Sequence, residues 1–358
     1  MAVSRSGTSV PGDVGSPRPR GPVTAAGRPA ADVTGYAPFD AGPLRVATRT
    51  FSAPDPARDR VFPGEIWAPA AGGDGAGGAP LPLVIFCHGS GGHRKSAAYL
   101  CAHLASHGYL VAAMDHSEVV AARLAPAADE TAGQRAARID AVIAGRVPDV
   151  RFLLDFLLAG GAAPGDDESA QADPERIGLV GHSFGGWTVL AVPEADDRVS
   201  AVVALGPGGS SRPRPGILPL TLTFAWGRDI PTLYLAAEDD VSIPLDGVSE
   251  LLDRTPASKR MFVLRRADHQ HFLDDVAGQH EALRAMALPG DAAWIPAAMR
   301  PIAELCPPAE AHDFVRGLTL AHLDATLRQS EAARRFLGGD VEAALAARGV
   351  AAFAHPEC

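Results

Sequence analysis

Cysteine is scarce in this chain: there are four among 358 residues, Cys87, Cys101, Cys306 and Cys358. No pair of them has metal-ligand spacing. So sparse a set fits a reducing cytoplasm, the expected compartment, and Cys87, inside an apolar run, reads as a buried thiol. Long hydrophobic runs are missing as well. None approaches the roughly 18 to 20 residues that span a bilayer, so no membrane span is expected. Arg5, Arg18 and Arg20 near the N-terminus are not followed by an apolar h-region, which makes the segment a poor secretory signal. The Pro and Gly residues around them oppose an amphipathic helix, so residues 1–40 are expected to form a disordered tail. Positive charge is in deficit, with 32 Lys and Arg against 42 Asp and Glu and a net charge of -10. A chain this acidic has no general attraction for nucleic acid or anionic membranes.

What is present is core-forming material and a regular alternation of elements. Hydrophobic residues make up 47% of the chain, ample for a large core. Two strand-like runs, Leu44–Phe51 and Val61–Trp67, precede a flexible Gly- and Ala-rich connection at 70–80. LPLVIFCHG then reads as a strand buried on both faces. Ser96–His107 has a helical pattern, Tyr109–Met114 is a strand, and Ala121–Gly145 is polar, irregular or weakly helical. Asp149–Leu158 is an apolar helix. Arg176–Val180, Val199–Leu205, Thr232–Ala237 and Met261–Leu264 read as strands, with a helix at Phe184–Ala191. Such alternation implies a mostly parallel sheet with helices on both faces, an α/β fold. Residues 41–275 are expected to be the core. Residues 276–358, read as helices around His271–Met286 and Ala309–Leu327 and shorter ones beyond, are expected to be a helical extension packed on it.

The stretch RIGLVGHSFGGWTVL carries the most chemistry. A buried strand runs into Gly181-His182-Ser183-Phe184-Gly185 and then into a helix, which is G-x-S-x-G in strand–turn–helix context. The tight turn strains the serine backbone and lifts its Oγ above the sheet. Glycines flank it because a Cβ there would clash. The helix aims its positive N-terminal dipole at the spot where negative charge would develop. Ser183 is therefore the candidate nucleophile.

Acyl transfer through such a serine needs amide donors for a tetrahedral oxyanion. The N–H of Phe184 is one candidate. The glycine-rich turn His88-Gly89-Ser90-Gly91-Gly92 after an earlier strand supplies the other, the Ser90 N–H. Those glycines lack the G-x-x-x-x-G-K-[ST] pattern of a phosphate loop, and neither a cofactor nor a metal is expected. A carboxylate should follow a later strand, and PTLYLAAEDDVSIP offers Glu238, Asp239 and Asp240. Asp240 is favoured and Asp239 is next. The base should follow the last strand, where RMFVLRRADHQHFLDD offers His269 and His271. His269 is favoured because it lies just past the strand end. Trp187 and Trp226 are candidates for lining a substrate pocket, and Phe224 and Trp294 are further aromatics of that kind.

These motifs, with DPARDRVFPGEIWAP, FCHGSGGHR, LASHGYLVAAMDH and DHQHFLDD, resemble the dienelactone-hydrolase and platelet-activating-factor-acetylhydrolase branch of the α/β-hydrolases. Cutinase-like polyester hydrolases are close to the same pattern. The resemblance spans roughly residues 45–275. It supports His269 as the first residue of an H-Q-x-F segment, and Asp240 four residues before Pro244. In the lipid acetylhydrolases the acid ends the strand directly after the elbow helix. Here that strand, AVVALG, ends in Gly206, which sends the acid to the later strand. The resemblance implies a serine esterase acting on a small-molecule ester through an acyl-enzyme, and the candidate pocket aromatics lead to the expectation of a small to medium hydrophobic acyl group. The rivals are an acyltransferase with the same three residues, a catalytically silent binding protein on the same fold, and a peptidase.

Overall fold

The first two strands form an antiparallel ribbon that leads into a larger sheet. A computed structural model describes residues 35–70, 79–127, 129–161, 171–288 and 290–356. The expected tail up to residue 34, most of the 70–80 connection and Cys358 lie outside the described residues. The strands are β1 (Val46–Asp55), β2 (Arg60–Pro69), β3 (Leu81–Cys87), β4 (Leu110–Met114), β5 (Ala172–His182), β6 (Val199–Leu205), β7 (Thr232–Ala237), β8 (Lys259–Leu264) and β9 (Ala352–Ala354). They lie side by side in the order β1-β2-β4-β3-β5-β6-β7-β8-β9. From β4 across to β8 every neighbouring pair is parallel. Antiparallel partners close both edges.

The helices are α1 (Ala98–Ser106), α2 (Ser117–Val120), α3 (Ala132–Leu158), α4 (Phe184–Ala191), α5 (Leu245–Arg254), α6 (Val276–Ala285), α7 (Ile295–Ala298), α8 (Pro308–Thr326), α9 (Glu331–Leu337) and α10 (Val341–Ala346). Because side chains alternate along a strand, each central strand feeds two cores. In β3, Leu83 and Ile85 pack with α3, α4 and α5, whereas Val84 and Phe86 pack with α1, α8, α9 and α10. Both faces of the sheet are covered, as expected where βαβ crossovers lay helices on either side. Among the described residues no helix is long and apolar enough to cross a membrane, and Cys87, Cys101 and Cys306 are free and buried.

Several expectations need correcting. The stretch expected to be irregular or weakly helical at 121–145 is mostly the first half of α3, which runs unbroken through Pro148. Its start is fixed by a capping box in which Thr131 accepts from the Gln134 N–H and the Gln134 side chain accepts in return. Residues 35–40, expected to be tail, pack against α8 and α9: Phe39 is buried, its ring sits 5.8 Å from Phe336, and the Tyr36 hydroxyl donates to Asp324. The C-terminal segment is more than a helical addition, because β9 extends the sheet beside β8.

Candidate active site

β5 ends at His182 and α4 begins at Phe184, so Ser183 alone occupies the bend. Its backbone sits at φ 59° and ψ -116°, a conformation that costs a residue with a Cβ about 1–3 kcal/mol. Neighbouring hydrogen bonds hold it there. The Ser183 N–H donates to Leu205 at 2.9 Å, and its carbonyl accepts from Trp187 at 3.0 Å and Gly208 at 3.2 Å. The flanking glycines are obligatory for space. A Cβ on Gly181 would fall on the Gly185 carbonyl, and one on Gly185 would fall on the Cys87 carbonyl.

His269 opens a short 3₁₀ turn, His269–Phe272, after β8. Its Nε2 lies 2.8 Å from Ser183 Oγ, and its Nδ1 lies 2.6 Å from Asp240 Oδ2. The other Asp240 oxygen accepts the N–H groups of Ser242 at 2.9 Å and Ile243 at 2.8 Å. With the carboxylate an acceptor, Nδ1 carries the proton and Nε2 is free to accept from the serine hydroxyl. Burial alone disfavours the imidazolium of His269. The Asp240 carboxylate, with Asp268 behind it, more than offsets that and holds the pKa above the ordinary value.

The other candidates point elsewhere. Asp239 pairs with Arg300 at 3.1 Å, and Glu238 pairs with Arg265 at 3.0 Å. His271 is fully buried and bonds Asp268 Oδ1 at 2.7 Å. The second oxygen of Asp268 bonds His280 of α6 at 2.6 Å, so this carboxylate ties the loop of His269 to the C-terminal helices.

The loop after β3 passes directly beside the serine: a Cβ on Gly89 would lie 3.2 Å from Ser183 Cβ. The Gly89 carbonyl is held from the other side by the Gly92 N–H at 3.1 Å and by His88 Nδ1 at 2.7 Å. In a planar trans peptide the N–H points opposite to the carbonyl, so these two bonds fix the direction of the Ser90 N–H. Phe184 is the first residue of α4, where an N–H has no intrahelical acceptor.

Trp187 and Trp226, expected near the substrate, are core residues instead. Trp187 donates to the Thr221 carbonyl at 2.8 Å and Trp226 to the Leu190 carbonyl at 3.1 Å. Both are buried in the apolar layer that contains α4, and neither lines the cleft at Ser183. That cleft has a volume of about 440 Å³ and is bounded by Ser90, His93, Lys95, Gln270, Asp274 and Gln279, among others. Leu273 is the one aliphatic side chain among its lining residues. A larger depression of about 890 Å³ surrounds Arg176, Lys259 and Arg260 at the opposite ends of the strands, remote from Ser183.

Sequence reasoning passed over two groups that the structure brings to the site. His182 abuts the His269 ring at 4.6 Å and donates from Nε2 to the His269 carbonyl at 3.0 Å. Burial, and then the charge of His269, hold its pKa well below the usual imidazole value. Its place beside the serine was the available signal. Arg146, reaching in from mid-α3, gave no signal at all.

The family described as platelet-activating factor acetylhydrolase, isoform II, matches residues 68–140. A platelet-activating factor acetylhydrolase of Cavia porcellus is 28% identical over 166 residues, which covers 36% of this chain and 36% of that relative. The match thus spans little more than a third of the relative's length. Among solved structures, a ferulic acid esterase from Streptomyces cinnamoneus superposes with a TM-score of 0.57 at 23% identity, covering 81% of this chain and 92% of that one. The strand order and this likeness show an α/β-hydrolase fold, and part of the chain is similar in sequence to platelet-activating factor acetylhydrolases.

Proposed function

We propose that this protein is a serine hydrolase of carboxylic esters that works through an acyl-enzyme. The observation that carries the reading is the unbroken hydrogen-bonded chain from Ser183 Oγ through His269 to Asp240, at 2.8 and 2.6 Å. Ser183 attacks the ester carbonyl as its proton passes to His269 Nε2. Asp240 stabilises the imidazolium and keeps the ring in the orientation that faces the serine. The N–H groups of Phe184 and Ser90 receive the negative oxygen. The imidazolium then protonates the departing alcohol, and water activated by the same ring releases the acid. The acetylhydrolase and esterase relatives support this chemistry, and no step calls for a metal or an organic cofactor.

The cleft favours a polar ester with a short acyl group. An alkyl chain laid against Ser90, His93, Gln270 and Asp274 would strip water from those groups without returning hydrogen bonds, whereas hydroxyl-bearing alcohols would replace that water. This reading differs from the small to medium hydrophobic acyl group expected from the sequence.

Labelling with a fluorophosphonate, followed by mapping of the modified residue, tests the assignment. Ser183 should carry the label, and Ser183→Ala should lose about 10³- to 10⁶-fold in turnover of p-nitrophenyl acetate. Near wild-type turnover by Ser183→Ala would refute the reading.

A further inference from the structure

Arg146 heads the largest fully buried side chains among the described residues. Its Nη1 donates to the His88 carbonyl at 2.8 Å. Its guanidinium carbon lies 4.0 Å from the centre of the Phe184 ring. Its Nη2 pairs with the Glu118 carboxylate, and its Nε has no partner. Burying a guanidinium is costly, and an apolar side chain of the same length would fill the space without that cost. The contacts show what the charge does there: it touches the residue whose N–H is one candidate oxyanion donor, and it holds the peptide that leads into the other.

We propose that Arg146 is a positioning residue of the oxyanion hole, fixing both amide donors at once and setting a permanent positive charge behind the point where the tetrahedral oxygen becomes negative. The proposal rests on the serine-esterase reading above. The first half follows from the backbone. Anchoring the His88 carbonyl fixes the peptide that enters the Gly89 turn. His88 itself is clamped, since its Nε2 accepts the His116 N–H at 3.1 Å. The Phe184 ring is packed against both the guanidinium and Trp187, whose ring stacks on it at 5.5 Å, contacts that restrain the residue that opens α4. The second half follows from the field. His88 and His116 are held below the ordinary imidazole value first by burial and next by the charge of Arg146. Burial and the Arg146 guanidinium both disfavour a proton on these rings, while Asp149, 3.4 Å from His116, and Glu118, paired with Arg146, act the other way. Preorganised charge of this kind acts on the transition state more than on the neutral ester.

The test separates transition-state stabilisation from mere structure. With p-nitrophenyl acetate, Arg146→Met should lower kcat about 10- to 100-fold, less than the ~10²–10³ lost with a direct donor, and leave KM within about twofold. Benzeneboronic acid, which becomes a tetrahedral anion on the serine oxygen, should bind more weakly by a similar factor. Arg146→Lys keeps the charge without the planar fork and should recover part of kcat. If Arg146→Met does not fold because Glu118 is left alone, Arg146→Met with Glu118→Met removes both charges, and the same losses are expected. Unchanged kcat and boronate affinity in the variant that folds, with only the melting temperature altered, would overturn the proposal. Fluorophosphonate labelling of the wild-type chain keeps the two failures apart. A labelled, active wild type with equally active variants removes only the role of Arg146, whereas absence of labelling removes the underlying reading.

Discussion

The protonation state of a single ring governs the proposed chemistry, because His269 must be neutral to accept a proton from Ser183. Activity should therefore rise with pH through the pKa of His269. Burial, the largest single influence, acts to lower that value, and the Asp240 carboxylate together with Asp268 raises it by more. Asp240→Asn removes the main influence that raises the value and leaves the burial. The acid limb of kcat/KM against pH should then move to lower pH while the plateau falls by about 10³- to 10⁴-fold. Titrating both enzymes with one activated ester from pH 4 to 9 reads the shift directly, and a limb that stays in place would mean that Asp240 does not face the titrating imidazole. At this scale much of the arrangement was legible. Ser183 is announced by glycines whose absence of a Cβ has a steric reason, and Asp240 and His269 by their places after strands. What separates Asp240 from Asp239 and His269 from His271 is the direction of each side chain, which adjacent residues in a sequence do not reveal. Asp239 has its ion-pair partner in a distant segment, Arg300, whereas His271 turns back to hydrogen-bond Asp268 within its own loop.

The ends of two adjacent elements explain why the acid can stand where it does. β6 and β7 are parallel neighbours, paired Leu205 to Leu235, and both point their C-terminal ends at His269. Gly206, just past β6, has a left-handed φ of 47°. A Cβ there would lie 3.6 Å from His269 Nδ1 and 3.7 Å from Asp240 Oδ2. A carboxylate on residue 206 would thus reach the same imidazole nitrogen from the neighbouring strand, and aspartate is among the residues that tolerate such a φ. Asp240→Ala should be nearly inactive, and Gly206→Asp added to it should restore kcat at least about tenfold. In the wild-type background the same change should impair the enzyme, since two carboxylates would crowd one ring. Equal inactivity of the single and double variants would show that the β6 end cannot present an acid. A second element-scale dependence runs from the C-terminal helices to the loop of His269. His280 of α6 is buried against Asp268, the residue before His269. His280→Ala removes one of the hydrogen-bond partners of that buried carboxylate and should cost about 1–3 kcal/mol of stability, read from the urea midpoint. A loss under 1 kcal/mol would mean that the helices do not brace the loop. None of this bracing was legible, because it joins segments whose sequence patterns are independent of each other.

Across the whole molecule, the sheet and its two helical layers follow from alternating strand and helix patterns, since a strand buried on both faces must be covered twice. The pattern was weakest where burial is one-sided or polar groups are drawn inside. The middle of α3, just past its polar first half, carries Arg146 inward, and the short β9 has three half-buried residues. Trp187 and Trp226, candidates for substrate walls in the sequence, fill the layer around α4, and their indole N–H groups donate to carbonyls there. The surface left to meet substrate is the polar loop after β3 and the segment after His269. Because the imidazolium delivers its proton to the departing oxygen, the walls beside His269, including Gln270 and Asp274, are where the alcohol would lie. Each methylene of a longer acyl chain normally gains about 0.8 kcal/mol when it leaves water for an apolar wall, and here it would meet hydrated groups instead. For p-nitrophenyl esters, kcat/KM should fall steadily from C2 toward C12 acids. Among acetates of alcohols with similar acidity, a glyceryl ester should be hydrolysed faster than a hexyl ester. A profile that climbs with chain length, or a preference for the hexyl ester, would place an apolar channel at Ser183 in place of the polar cleft.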